Sequence, residues 1–322
     1  MTPRATFCVP IYRGDGFLPE LCAALRAQTM RDFLCVLSVD GDDDTPSLAA
    51  AQRELSDSRF TLRVNRPRAG WSGHIDALLR ASETDYALYM AQDDLPEPEY
   101  LAVLVSAVAA AAEPVSAFTD IRYFGAVQHV ETNQGIGGAR LERMRAQLAR
   151  QAWIPCRGLL PRALARSGLF APTTPDQIAE DHVAVLRMAI FGPVLRIPAP
   201  LYGKRVHEAN TGGRWIRWGP ERRRTAWAEL AVRLLECALP QARNEGERRL
   251  LWDALFLRHC LPRVGRQEFW IPGPEGVAGF AAEILNGLAT RGHDVAGLLG
   301  ALPVELAKAT TARLAAFDRP VQ

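Results

Sequence analysis

Short apolar runs alternate with amphipathic stretches from Ala5 to Phe118, and few folds accommodate that rhythm. Strand-like runs fall at Ala5 to Pro10, Phe33 to Val39, Phe60 to Val64, Asp85 to Met90 and Val115 to Phe118. Helical patterns separate them at Phe17 to Gln28, Ser47 to Leu55, Ile75 to Ala81 and Pro98 to Ala112. In the first of these Leu18, Leu21, Cys22 and Leu25 share one face. The apolar runs have no polar alternate face, as in strands covered on both sides. The pattern predicts a parallel α/β sheet with helices on both faces. In such sheets ligands bind just beyond the carboxyl ends of the strands.

Three of those strand ends carry chemistry. The fourth run ends at Met90-Ala91-Gln92-Asp93-Asp94, and Pro96 and Pro98 stop it. Two carboxylates there can hold a hard divalent cation, which keeps waters and takes phosphate oxygens as further ligands. An acidic pair can equally open the next helix, where the dipole favours negative charge. The first run ends Val9-Pro10-Ile11-Tyr12-Arg13, and the second ends Val39-Asp40-Gly41-Asp42-Asp43-Asp44-Thr45. Together they suit a nucleoside diphosphate: an aromatic against the base, a carboxylate reading a base or ribose edge, and a cation on the phosphates. Asp42 and Asp43 read as a solvated turn, leaving Asp40 as the candidate contact.

Farther on the pattern becomes mixed, then wholly helical. Ala139 to Gln151, Ala163 to Ser167 and Ile178 to Ile190 read as helices, and Val194 to Pro198 and Leu201 to Val206 as short strands. Glu221 to Ala238, Glu245 to Cys260, Val277 to Leu288 and Val295 to Phe317 read as helices. The predicted layout is an α/β domain over 1–213 and a helical C-terminal region over 214–322.

A net charge of +2 gives no argument for nucleic acid as a partner. The only lysines are Lys204 and Lys308, so almost all positive charge is arginine. The six cysteines contain no Cys-x-x-Cys pair and read as reduced, buried thiols. The N-terminus runs straight into a strand without a secretory pattern, and the apolar run Leu101 to Ala112 is too short to span a bilayer. A soluble, cytoplasmic protein is expected. Arg214-Trp215-Ile216-Arg217-Trp218 and Arg222-Arg223-Arg224 with Trp227 form a basic aromatic patch, read as a helix start, an acceptor-side loop or a peripheral membrane contact.

The ordered motifs resemble those of the inverting family-2 glycosyltransferases. Val9-Pro10-Ile11-Tyr12 resembles the opening Pro-x-Tyr motif. Leu25-Arg26-Ala27-Gln28-Thr29 resembles the Gln-Thr helix end, and Asp40-Gly41 the acidic turn. Gly70-Trp71-Ser72-Gly73-His74 takes the place of the glycine-containing segment before the third helix. Met90 to Asp94 takes that of the Asp-x-Asp metal motif. Gly158 to Arg162, Gly168-Leu169-Phe170 and Glu180-Asp181-His182 resemble the acceptor-side pattern, and Leu201 to His207 the closing Tyr-x-x-Arg-x-His segment.

The resemblance implies a GT-A fold, the Rossmann-like sheet of nucleotide-diphospho-sugar transferases, followed here by a helical C-terminal region. It implies transfer of a sugar, with inversion, from a UDP-sugar or related donor to a hydroxyl on a glycan, lipid-linked or small-molecule acceptor. Mn2+ or Mg2+ would be held by Asp93 and His207. Asp181 would be the base, with Glu180 as its substitute, and Pro10, Tyr12, Asp40, Gly70, Asp94 and Arg205 would line the donor site. Trp71 would line the sugar site, and the C-terminal helices would shape the acceptor side or a homodimer contact. The chain departs from the family in placing Ala91 where the first motif aspartate belongs and Arg13 where asparagine follows Pro-x-Tyr. These departures leave a binding domain without turnover as the alternative. A nucleotidyltransferase would need a phosphate loop, for which Arg13-Gly14-Asp15-Gly16 is a poor match.

Overall fold

The predicted alternation is present as β1 (Ala5–Ile11), α1 (Leu18–Arg26), β2 (Phe33–Asp40), α2 (Thr45–Arg53), β3 (Phe60–Asn65), α3 (Gly70–Arg80) and β4 (Tyr86–Tyr89). The structure is a computed structural model and describes residues 3–113, 115–174, 177, 179–208, 218–260 and 273–317. Next come β5 (Leu95–Pro96), α4 (Tyr100–Ala109), β6 (Ser116–Gly125), β7 (His129–Glu131) and α5 (Arg140–Arg150). The α/β part closes with β8 (Leu159–Pro161), α6 (Arg162–Ala165), α7 (Glu180–Phe191) and β9 (Val194–Val206).

The sheet has two halves of different character. Its order is β3-β2-β1-β4-β8-β6-β9-β5, with β7 pairing on β6. β3, β2, β1 and β4 are mutually parallel, whereas β8 runs antiparallel to both β4 and β6. β9 then runs parallel to β6, and β5 pairs antiparallel with β9 through Leu95↔Gly203 and Pro96↔Tyr202. The apolar periodicity predicts the parallel half. β5, β7 and β8 are too short to show a period, so in the mixed half only β6 and β9 have counterparts in it.

That two-residue pairing of β5 with β9 matters most for function. It brings the segment after β4 against the end of β9, joining stretches more than a hundred residues apart in sequence. Pro10 is half-buried in β1 two residues past the last β1–β4 partner pair, Cys8↔Tyr89, where a missing N–H is tolerated. Beneath lies an apolar core in which Phe7 and Phe33 meet edge to face at 5.2 Å. Cys8, Cys22, Cys35 and Cys156 are buried free thiols, as composition suggests.

Three boundaries differ from the sequence reading. α3 starts at Gly70 rather than Ile75, because side chains from elsewhere cap its first turn. The two strands expected within 194–206 are one, with a register shift against Thr119 and Ile121 that absorbs Pro198 and Pro200. The last predicted helix is split into Ala296–Gly300 and Val304–Phe317, since Pro303 cannot continue a helix.

The chain divides into two compact units, residues 1–138 with 152–208, and residues 139–151 with 209–322. The second unit is helical: Pro220–Ala238, Glu245–Cys260 and Gly273–Ala289 bury Trp227, Leu235, Trp252, Phe280 and Leu285. α5 belongs to this unit and packs on Glu245–Cys260, a link that its amphipathic pattern alone does not reveal. Among the described residues, no helix is long and apolar enough to cross a membrane.

Candidate active site

The loop after β1 is fixed by side chains from two other strand ends. Gln92 Oε1 accepts from Tyr12 N at 2.8 Å, and its Nε2 donates to Tyr12 O at 2.9 Å. The amide side chain thus substitutes for a neighbouring strand where β4 has ended. Asp44, the N-cap of α2, accepts from Arg13 N at 2.5 Å, and Ser47 Oγ accepts from Gly14 N at 2.9 Å. A Cβ on Gly14 would lie 2.2 Å from Gln92 Oε1, so only glycine lets this clamp close. The Tyr12 ring stands at the mouth of this turn, with the Arg68 guanidinium 3.9 Å and that of Arg13 5.2 Å from its centroid.

Asp40 is buried, and its carboxylate is well supplied with donors. Oδ1 accepts from Asn65 Nδ2 at 2.7 Å and Ala69 N at 3.0 Å, and Oδ2 from Gly70 N at 3.1 Å. It therefore draws the segment after β3 onto the end of β2. Gly70 takes a left-handed backbone with φ +73°, and a Cβ there would meet the Gln177 amide at 2.5 Å. Gln177 in turn accepts from Ser72 N and donates to Ala69 O, both at 3.0 Å. Trp71 Nε1 donates to Gln177 O at 2.8 Å, so this indole is committed to anchoring the loop.

The metal candidates converge. His207 Nε2 stands 2.8 Å from Asp93 Oδ2, with the imidazole packed on Phe17 at 4.9 Å. Two ligands set at right angles about 2.1 Å from one cation lie about 3.0 Å apart, so this spacing suits a shared octahedral ion. An imidazole with a carboxylate is a donor set that Mn2+ accepts. Among the described residues no group of three His, Cys, Asp or Glu side chains gathers as a metal cage. The remaining positions would fall to water and to substrate phosphates, as is usual where a cation sits on a nucleotide.

Asp94 has a different environment. It is fully buried, Oδ2 accepting from Tyr202 OH at 2.6 Å and Oδ1 from Arg205 N at 3.0 Å. Burial pushes its carboxyl above the usual range, opposed by the nearby Lys204 charge. Arg205 turns its guanidinium toward Asp93 O at 3.0 Å and Glu20 at 2.5 Å and stacks on Phe124. It braces the loop that carries Asp93 through these contacts.

At the start of α7 the second acidic pair divides in the same manner. Glu180 is buried and accepts from Thr173 N at 2.7 Å, Thr173 Oγ1 at 2.8 Å, Thr174 N at 2.9 Å and Thr174 Oγ1 at 3.2 Å. Asp181 is half-buried, and among the described residues its hydrogen bond is to His182 N at 3.1 Å. Of the two, Asp181 is the one left to meet a ligand. Gln92 and Gln177 are structural keys absent from the sequence reading, because an amide linking distant loops leaves no periodic trace. Residues 214–217 of the basic aromatic patch lie outside the described residues.

Four parallel strands joined to a mixed half give a fold of GT-A type, with an aromatic turn, a buried aspartate and an Asp–His pair at the strand ends. Residues 6–157 match the model of glycosyl transferase family 2. The fold resembles that of S. aureus TarS 1–349, solved in complex with UDP-GlcNAc, at TM-score 0.64 and 12% identity. That match covers 97% of this chain and 88% of TarS 1–349. The mannosyltransferase PcManGT from Pyrobaculum calidifontis, in complex with GDP-Man and Mn2+, matches at TM-score 0.52 and 18% identity. It covers 98% of this chain and 86% of that one. No curated protein matches the sequence.

Proposed function

We propose that this chain is a metal-dependent, inverting glycosyltransferase that moves a hexose unit from a nucleoside-diphosphate donor, of the UDP-sugar class, to a hydroxyl acceptor. The observation that carries the reading is the approach of His207 Nε2 to Asp93 Oδ2 at the carboxyl ends of the parallel strands. UDP and GDP-Man in the TarS and PcManGT complexes support a nucleotide donor, and Mn2+ in the latter supports the cation.

In this reading Tyr12 takes the base against its ring, with Arg68 flanking it, and Pro10 and Gly70 shape the backbone of the cleft. Asp40 holds that cleft and offers its remaining Oδ2 lone pair to the base or ribose. Asp93 and His207 hold Mn2+ or Mg2+, while Asp94 and Arg205 fix the loop on which Asp93 is carried. A cation bound there neutralises charge developing on the departing diphosphate. Asp181 accepts the proton of the acceptor hydroxyl as its oxygen bonds to the anomeric carbon. The bond from that carbon to the diphosphate oxygen breaks on the opposite face, and the nucleoside diphosphate leaves.

Transfer or hydrolysis assays across a panel of sugar nucleotides, with and without Mn2+, test this reading. Turnover that depends on the metal and disappears in Asp93→Ala and Asp181→Asn is the expected result. Ala91 favours a second reading, since a buried methyl replaces the first motif carboxylate. Mn2+-dependent nucleotide binding with no turnover on any donor would establish that reading instead.

A further inference from the structure

Arg157 ends a short helical turn, Ile154–Arg157, and carries a charge whose hydrogen bonds are largely unmade. Its Nε and Nη1 are shielded from solvent and have no hydrogen-bond partner among the described residues. The nearest anion is Asp94, with Nη1 3.9 Å from Oδ2, beyond hydrogen-bond reach. The guanidinium lies over the Tyr89 ring at 4.4 Å, with Trp153 at 5.8 Å and Tyr202 at 6.0 Å from its carbon. Lys204 approaches the same Trp153 ring, its Nζ 5.6 Å from the centroid. It has no hydrogen-bond or ion-pair partner among the described residues. A guanidinium this poorly satisfied is costly unless something completes it.

Lys204 leaves β9 on the face opposite Arg205. Side chains alternate along β9, so Tyr202 and Lys204 share one face. Arg205 and, beyond the strand, His207 lie against Phe17 on the other. Asp181 lies in the first turn of α7, which packs on the turn Ile154–Arg157 that carries Arg157. Among carboxylates near the cations, Asp94 is covered by Tyr202 OH and Arg205 N, and Glu131 accepts from Tyr123 OH at 2.6 Å. Two aromatic-walled cations thus lie on a turn and a strand that pack together, and the helix carrying the candidate base packs on that same turn.

We infer that Arg157 and Lys204 form an anion subsite that receives a phosphate group carried by the acceptor. The inference rests on the reading of Asp181 as the acceptor-side base. An acceptor phosphate there would satisfy the guanidinium and hold the neighbouring hydroxyl for deprotonation. The donor diphosphate belongs to the Asp93–His207 face.

Calorimetric titration of the full chain in EDTA, with glycerol 3-phosphate and with glycerol, tests the subsite while metal-dependent phosphate binding is silent. Glycerol 3-phosphate is expected to bind saturably and glycerol not at all. Lys204→Ala, whose side chain is partly exposed, should weaken that binding at least about tenfold, the scale of one charge-assisted hydrogen bond. Arg157→Lys should weaken it less than Arg157→Gln, because the charge remains. The double variant Asp93→Ala/His207→Ala should bind glycerol 3-phosphate as the unaltered chain does. Loss in that double variant would put the anion in the donor site and overturn the inference, as would no change in Lys204→Ala and Arg157→Gln. Absence of glycerol 3-phosphate binding alongside intact Mn2+-UDP binding would overturn the subsite alone. Absence of both would overturn the proposed function with it.

Discussion

Two pairs of adjacent carboxylates, Asp93-Asp94 after β4 and Glu180-Asp181 at the start of α7, use the same division of labour in opposite order. In the first pair the second member is buried beneath Tyr202 OH and Arg205 N, and the first stands beside His207. In the second pair the first member is buried among the donors of Thr173 and Thr174, and the second is half-buried with one local hydrogen bond. One carboxylate of each pair fixes its backbone, so that its neighbour is aimed without having to be held itself. Adjacent acids in a sequence therefore need not share a role, and burial distinguishes them.

Function-side substitutions should give the largest effects. Asp181→Asn removes the proposed proton acceptor and should lower turnover by about 10² to 10⁴-fold, the usual scale of general-base catalysis, with nucleotide binding intact. Asp93→Ala should lower turnover comparably while also abolishing Mn2+-dependent nucleotide binding, read by calorimetry. If either variant instead lost its fold, the division would be wrong for that pair.

The buried partners should give stability effects. Glu180→Gln leaves one carbonyl oxygen for four donors, and Asp94→Asn removes charge from the site packed against Tyr202 and Arg157. Each should lower unfolding free energy by about 1–3 kcal/mol, the cost of leaving buried donors unpaired. Denaturant titration checks this, and a catalytic defect larger than the stability loss explains would mean that the buried member also touches substrate.

Much of this arrangement was legible in the sequence, and the reason differs by region. β1 to β4 follow from period and apolar runs, and the acidic strand ends follow from their abrupt break in that pattern. The pairing of Asp93 with His207 spans 114 positions and depends on the two-residue strand β5, so no local signal announces it. Arg157 is hidden for a similar reason. It is one of many arginines, and only the aromatic rings of Tyr89, Trp153 and Tyr202 around it single it out. The start of α3 was misplaced because its caps, Asp40 and Gln177, come from other elements.

The smallest predicted effect concerns a control outside both pairs. His74 is buried with Nε2 2.8 Å from Ser38 Oγ, and burial holds its imidazolium form below the usual histidine range, against the pull of Asp40. The unfolded chain binds the proton more readily, so His74 stabilises fully above about pH 6.5, and stability falls as pH drops from there toward its folded value. Unfolding curves between pH 7 and 5 should show this slope, and His74→Gln should flatten it (pH values being about the ordinary histidine range).

The central claim, that Asp93 binds and Asp181 reacts, is tested most directly by calorimetric UDP titration in Mn2+ of the unaltered chain, Asp93→Ala and Asp181→Asn, each verified as folded. The account predicts that the unaltered chain and Asp181→Asn bind UDP alike, while Asp93→Ala does not bind. Normal binding by Asp93→Ala, or loss of binding in Asp181→Asn, would contradict it.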